Sequence, residues 1–382
     1  MAASGKRICV IGAGVSGLTT AISLRRAGYD VAIVTSGTRE ATTSSAAAAF
    51  WYPFWTGREP VHDWYLPEWA MHSYFEFEKL IGHDLSGVTE ITLREYFDAN
   101  MTTESIHKTV DSMWWRFLPQ LNFGAIPTAD LESLSCTPPT SAAIRFSAGI
   151  RFRTFVINMA AYLPFLEALA TGEGCRLEPS TRITQERTPG AVTVSDLLRQ
   201  YPCVVNCAGL GARETAGEKH LVPTQGVVVK LAPSPHIKEL VLMHTGHFFE
   251  RLPFYIVPRG GPSPDILLGG TIRPLWDHPG ETVHHSWPSP DDEVQHIAGE
   301  IVETCKSFSP ELGDLSIRDV SVGYRPAREI PDALRTTMTA PFGVRLEPDG
   351  NIVHNYGHGG GGVTFSWGCA KRVVELVDRL TL

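Results

Sequence analysis

Two glycine-rich stretches, one near each end of a 382-residue chain, carry residue types suited to holding a negatively charged group. The later one runs Ile352-Val353-His354-Asn355-Tyr356-Gly357-His358-Gly359-Gly360-Gly361-Gly362-Val363-Thr364 and continues through Trp367, Gly368 and Ala370. Glycines expose the backbone, so where they precede a helix the successive N–H groups converge on the space before it, and that space suits an anion. The earlier one, Gly12-Ala13-Gly14-Val15-Ser16-Gly17, has the G-x-G-x-x-G spacing. Gly12 makes the turn, Gly14 lets a pyrophosphate approach, and Gly17 lets helix and strand pack.

Such a motif means little without its flanking elements. Arg7-Ile8-Cys9-Val10-Ile11 reads as a buried strand, Leu18 to Ala27 as a helix with Leu18 and Ile22 on one face, and Val31 to Val34 as a second strand. That is the setting a dinucleotide fingerprint requires. After the later glycines, Val373, Val374, Leu376, Val377 and Leu380 recur at helical spacing, which predicts a helix over Phe365 to Leu380 docked on a core. One residue departs from the fingerprint: Thr35-Ser36 stands where an acid should hold the ribose, and no carboxylate follows until Glu40. Hydroxyls would bond the ribose more weakly. A 2′-phosphate, and hence NADP, is the other reading of that gap, but Arg39 is the only cation nearby.

The pattern His354-Asn355-Tyr356-Gly357-His358-Gly359-Gly360-x-Gly362, followed by Trp367-Gly368-x-Ala370, resembles the C-terminal signature of the D-amino-acid oxidase family, which includes D-aspartate oxidase. A glycine-rich surface turn is the alternative, and the second motif at the other end argues against it. The resemblance implies FAD. It extends to Thr42-Thr43-Ser44-Ser45-Ala46-Ala47-Ala48-Ala49-Phe50-Trp51-Tyr52-Pro53, which looks like the family segment that wraps the pyrophosphate and passes along the isoalloxazine ring. It also covers Cys203 to Ala212, whose Gly209 turn would return to the adenine side. The fold class expected is α/β, with a discontinuous Rossmann-like FAD-binding domain (1–55, 140–222 and 320–382) and an antiparallel-sheet substrate domain (56–139 and 223–319). Short apolar runs between Thr224 and Thr271, punctuated by Pro and Gly, fit that second sheet. Aromatics from Trp64 to Ile81 read as the core face of a helix, and Gly82 to Pro139 is the least informative stretch.

By the same resemblance, Gly323-Tyr324-Arg325-Pro326-Ala327-Arg328 matches the family's Gly-Phe-Arg-Pro-x-Arg, whose first arginine clamps the substrate α-carboxylate. A guanidinium fork suits a carboxylate. Tyr255, in Pro253 to Pro258, matches a substrate-facing tyrosine, with a core tyrosine as the alternative. Four residues upstream the family carries another tyrosine, and here Arg251 stands beside Glu250. Arg251, with Arg273, would meet a second anionic group and favour an acidic or atypical amino acid; the bland alternative is an Arg251–Glu250 surface pair.

The mechanism implied is hydride transfer from the substrate Cα to the flavin, giving an imino acid that hydrolyses, with molecular oxygen reduced to hydrogen peroxide. Arg325 and Tyr255 orient the substrate, and the backbone from Gly359 and Gly360 through Gly361, Gly362 and Val363 to Thr364 stabilises the charge of the reduced cofactor. His358 is either a base or a residue that shapes the glycine turn, and the turn favours the second role. A flavin amine oxidase or desaturase acting on glycine, sarcosine or a biosynthetic secondary amine is the competing enzyme class, and a flavin-binding protein without turnover is the non-enzymatic one.

Bulk properties exclude other classes. Hydrophobic residues make up 43% of the chain, and no apolar run approaches the roughly 20 residues of a membrane span. A net charge of −8 gives no reason to expect nucleic acid. The seven cysteines have no metal-like spacing and read as reduced thiols of a cytoplasmic protein. No metal is expected, FAD is expected to be dissociable, and a homodimer is left open.

Overall fold

Strands covered on both faces read as continuous apolar runs rather than alternating ones. Arg7–Ile11, Asp30–Val34, Cys203–Asn206 and Ile352–Tyr356 are of this kind, each buried along all but its first residue at most. In the computed structural model, which describes residues 6–53, 65–139, 141–178, 181–245, 253–271, 273–274, 292–328 and 343–381, they form the centre of a six-stranded sheet. Its order is Arg345–Asp349, Ile352–Tyr356, Cys203–Asn206, Arg7–Ile11, Asp30–Val34, Arg176–Leu177, and every neighbouring pair is parallel except the first.

Helices Val15–Arg26, Met159–Gly172 and Gly362–Thr381 cover one face of this sheet, with Tyr65–Glu78 packed on the last. A Cβ on Gly368 would lie 2.2 Å from Trp69 Cα, so the two helices touch backbone to backbone. Ile183, Val194 and Leu197 close the other face over Cys9, Ile11 and Val204.

Among the described residues the larger sheet has ten strands, and Leu221–Leu231, Asp265–Gly269, Phe254–Arg259, Leu240–His244, Val88–Asp98 and Ile144–Ile157 follow one another across it. Leu240–His244 pairs with Val88–Asp98 in parallel, and the remaining pairs are antiparallel. Helix Asp292–Phe308, which sequence patterning did not single out, buries Val294, Ala298, Ile301 and Val302 against this sheet.

Strand membership differs from the expected division in two places. Ile144–Ile157 and Ile317–Arg328, grouped with the nucleotide-binding pieces by boundaries at 140 and 320, both lie in the larger sheet. Each leads from that sheet toward the smaller one. Ile157 runs into helix Met159–Gly172, which packs on Val15–Arg26, and Ala327 bridges to His358 in the glycine turn.

Candidate active site

Ligands of open parallel sheets sit outside the carboxyl ends of the strands. A cavity of about 560 Å³ lies there, lined from the smaller sheet's side by Gly12, Gly14, Val15, Ser16, Thr35, Ser36 and Gly209 and by Gly359, Gly360, Gly362, Val363 and Thr364. Thr42, Thr43, Ser44, Ala48 and Ala49 line it from the connecting segment, and Leu242, Tyr255 and Arg325 from the larger sheet.

The first turn is built by contacts that only glycine permits. Gly12 has φ +105, and a Cβ there would lie 2.6 Å from the Cys207 carbonyl oxygen. A Cβ on Gly17 would lie 1.9 Å from the Gly12 carbonyl oxygen, so Gly17 packs the helix on the turn instead of facing the cavity. Gly14 has only Ser44 Oγ near its missing Cβ, at 3.1 Å, and is open to the cavity. The Val15 amide donates to that Ser44 hydroxyl over 3.0 Å, and the Thr43 hydroxyl donates to the Tyr324 carbonyl over 2.8 Å. These bonds draw residues 42–46 across the helix start toward the larger sheet. Ala49 adopts φ 45 without being glycine.

The second turn leaves its strand through Gly357 (φ +85) and Gly359 (φ +53) and opens helix Gly362–Thr381. The first turn of a helix has N–H groups without intrahelical partners, and here Gly362, Val363 and Thr364 bring them to the cavity. Gly361 does not line it; a Cβ there would lie 2.3 Å from the Phe365 ring. His358 is 8% exposed, with Nε2 at 3.0 Å from Asn355 Oδ1, and burial pushes its pKa down to about 4. It is therefore neutral near pH ~7. Asn355 in turn donates to Thr20 Oγ1 over 3.1 Å. This arrangement holds the turn in shape.

At the larger sheet, two glycines clear space for the two side chains expected to hold the substrate. Tyr255 stands opposite Gly269, where a Cβ would lie 2.2 Å from its hydroxyl. Arg325 stands opposite Thr224, and a Cβ on nearby Gly226 would lie 2.6 Å from its Nη1. Burial lowers the Arg325 pKa, with Tyr255 pulling weakly the other way, and burial raises that of Tyr255. Arg325 Nη1 donates to the Thr271 carbonyl over 3.1 Å. Gly226 and Gly269 were not singled out in the sequence; glycine inside a strand is the available signal, because it often marks a close approach.

Arg251 and Glu250 lie outside the described residues, as does the side chain of Arg273, whose backbone pairs with Gln225. Among cavity residues missed by sequence reading, Arg213 donates to the Leu221 carbonyl from Nε and Nη2, at 3.1 and 2.8 Å, and Glu214 lines the wall beside it.

The arrangement suits a dinucleotide: a glycine cradle open at Gly14, hydroxyls at Thr35 and Ser36, small residues at Ala46 to Ala49, and a helix N-terminus at the far turn. A family model described as DAO, FAD dependent oxidoreductase, matches residues 7–376. A D-amino-acid oxidase of Streptomyces coelicolor is 31% identical over 374 residues, which cover 97% of this chain and 96% of that protein. Human D-aspartate oxidase is 29% identical, covering 97% and 94%. The crystal structure of glycine oxidase from Geobacillus kaustophilus superposes with a TM-score of 0.70 at 18% identity, covering 98% and 95%, which is a likeness of fold. Its cofactor is FAD, its chemistry is that of an FAD-dependent amine oxidase, and the chain belongs to the DAO family of FAD-dependent oxidoreductases.

Proposed function

We propose that the protein oxidises a free D-amino acid to the imino acid, which hydrolyses to the 2-oxo acid and ammonia, with molecular oxygen as electron acceptor. The observation that carries this reading is the meeting of Arg325 with the glycine turn: Gly360 faces it, and a Cβ there would lie 3.8 Å from Arg325 Cδ. A carboxylate held by Arg325 is thereby presented beside the segment that would flank the flavin. The D configuration is supported by the relatives named above.

FAD, when bound, supplies the acceptor for the hydride leaving the substrate Cα. The chain's own residues orient and polarise. Arg325 receives the α-carboxylate in its planar fork, and the Tyr255 hydroxyl donates to the same carboxylate. The phenol stays protonated because burial raises its pKa. The amide groups of Gly362 to Thr364, at the positive end of a 20-residue helix, favour negative charge at the flavin edge. Orientation and preset electrostatics then supply the rate, with no side-chain base required once the amine is neutral.

Among the described residues no helix is long and apolar enough to cross a membrane. The seven cysteines are all free and buried, which supports a reducing, cytoplasmic setting. The test is hydrogen peroxide release from FAD-loaded protein against paired D- and L-amino acids, with glycine and sarcosine alongside. D-selective release supports the reading. Release from sarcosine or glycine alone contradicts it and moves the protein to the secondary-amine class. Preference for an acidic side chain rests on Arg251 and is read from the same assay through aspartate and glutamate.

A further inference from the structure

Behind the aromatic wall of the cavity lies a buried polar cluster that the chemistry above does not use. Tyr52 lines the cavity, and its hydroxyl bonds to the Glu95 carboxylate, 3.2 Å from Oε1 and 3.1 Å from Oε2. His244 Nε2 lies 2.5 Å from Glu95 Oε1. Glu95 is fully buried and His244 is 2% exposed. A carboxylate out of water is costly unless its lone pairs are met, and a phenol and an imidazole meet them here. The imidazole is stacked on Phe97, with ring centroids 4.9 Å apart and planes at 12°.

Sheet register places the cluster relative to the substrate end. Tyr255 is opposite Leu242, and Leu242 is in register with Glu95 on the next strand. Residues in register across a sheet share a face. Tyr255 and Leu242 line the cavity, so Glu95 stands on the cavity face, two strands from Tyr255, or ~10 Å at the usual strand spacing. Tyr52 covers it. The Tyr52 ring meets Phe50 edge-on at 6.2 Å, and Phe50 meets Tyr255 edge-on at 6.4 Å. The Tyr52 backbone is fixed as well, since Thr364 Oγ1 in the flavin-side helix donates to its carbonyl over 3.1 Å. Burial and the neighbouring carboxylate hold the phenol well above its ordinary pKa, so it remains a donor.

We propose that Tyr52 is a specificity-determining wall of the substrate subsite, and that Glu95 and His244 are positioning residues which lock its ring through the phenol. The proposal rests on the reading that the Arg325 end receives the substrate carboxylate. Glu95 is covered by Tyr52 and acts through it. A locked ring fixes the room left for a side chain; an unlocked one yields to bulky groups and gives small ones a looser fit.

The test uses FAD-loaded protein and three simple carboxylates of increasing size, acetate, isobutyrate and benzoate, with binding read from the shift in the visible absorption of the bound flavin. The variants are Tyr52→Phe, which removes one hydroxyl, Glu95→Ala, which removes the anchor, and Glu95→Gln, whose amide oxygen still accepts from the phenol. The expected result is a change of roughly tenfold in the benzoate-to-acetate affinity ratio, in favour of benzoate, for Tyr52→Phe and Glu95→Ala, with Glu95→Gln within about twofold of the parent. FAD affinity, followed by quenching of flavin fluorescence, should stay within about twofold throughout. An unchanged ratio in Tyr52→Phe, or a Glu95→Gln ratio displaced as far as that of Glu95→Ala, overturns the proposal. A parent that binds none of the three overturns the substrate-end reading together with it, whereas a discriminating parent with indistinguishable variants removes the locked wall alone.

Discussion

Arg325 donates from Nη1 to the Thr271 carbonyl 3.1 Å away, and no carboxylate among the described residues pairs with it. A desolvated guanidinium with a backbone partner and no counter-charge costs stability, and under the proposed function a substrate carboxylate would supply that counter-charge. Arg325→Met should therefore separate the two effects. We expect kcat/KM to fall on the order of 10²-fold, from losing about 3 kcal/mol of charged hydrogen bonding, while Tm without substrate holds or rises. Steady-state kinetics and thermal melts on one preparation check it. A variant that melts several degrees lower would show that Arg325 is structural.

Gly17 faces the Gly12 carbonyl oxygen, 1.9 Å from where a Cβ would sit. Gly17→Ala must push the helix start off the turn, at about 2 kcal/mol or more. FAD affinity measured by fluorescence titration should weaken by roughly 30-fold or more. Unchanged affinity would mean that the turn does not carry the cofactor.

Ala49 holds a left-handed conformation, φ 45, on the cavity wall, and its carbonyl accepts from the Ile157 amide over 2.8 Å. That conformation costs a non-glycine residue roughly 1–2 kcal/mol, more than the entropy glycine loses on folding. Ala49→Gly should raise Tm by about 1–2 °C. A lower Tm would place the strain elsewhere.

His358 contributes a pH dependence of definite sign. Its folded pKa is pushed down to about 4, whereas a free imidazole titrates near ~6.5. Between those values the unfolded chain binds a proton that the folded chain refuses, so stability is complete above about pH 6.5 and is lost as pH falls toward 4, by up to about 3 kcal/mol. Burial lowers the pKa of His354 too, which adds in the same direction. Stability plotted against pH should be flatter across this window for His358→Gln than for the parent. Equal slopes would show that His358 is not the group responsible.

The strand-turn-helix at Gly12 to Gly17 and the turn at Gly357 to Gly362 were legible in the sequence because local backbone demands dictate glycine there. Arg325 and Tyr255 were legible only through resemblance. Their convergence depends on a register that sets Thr224 against Arg325 and Tyr255 against Gly269, pairings between segments far apart in the chain. Glu95 was invisible for the same reason. It looks like one acid in an alternating strand, and it becomes a buried partner of Tyr52 and His244 only when the parallel pairing of Val88–Asp98 with Leu240–His244 forms. Thr35 and Ser36, expected to offer hydroxyls to a ribose, line the cavity, where the Thr35 hydroxyl donates to the Gly37 carbonyl over 3.3 Å, and the charged cavity residues Arg213 and Glu214 directly follow the segment marked for its small residues.

Mixing FAD-loaded protein with D-alanine or L-alanine without oxygen, and following the visible absorption of the flavin, tests D-amino-acid oxidation at this site. The expected result is rapid bleaching by D-alanine, none by L-alanine, and bleaching by D-alanine slowed on the order of 10²-fold in Arg325→Met. Bleaching by L-alanine, bleaching by sarcosine or glycine alone, or a flavin that no amine reduces would contradict it.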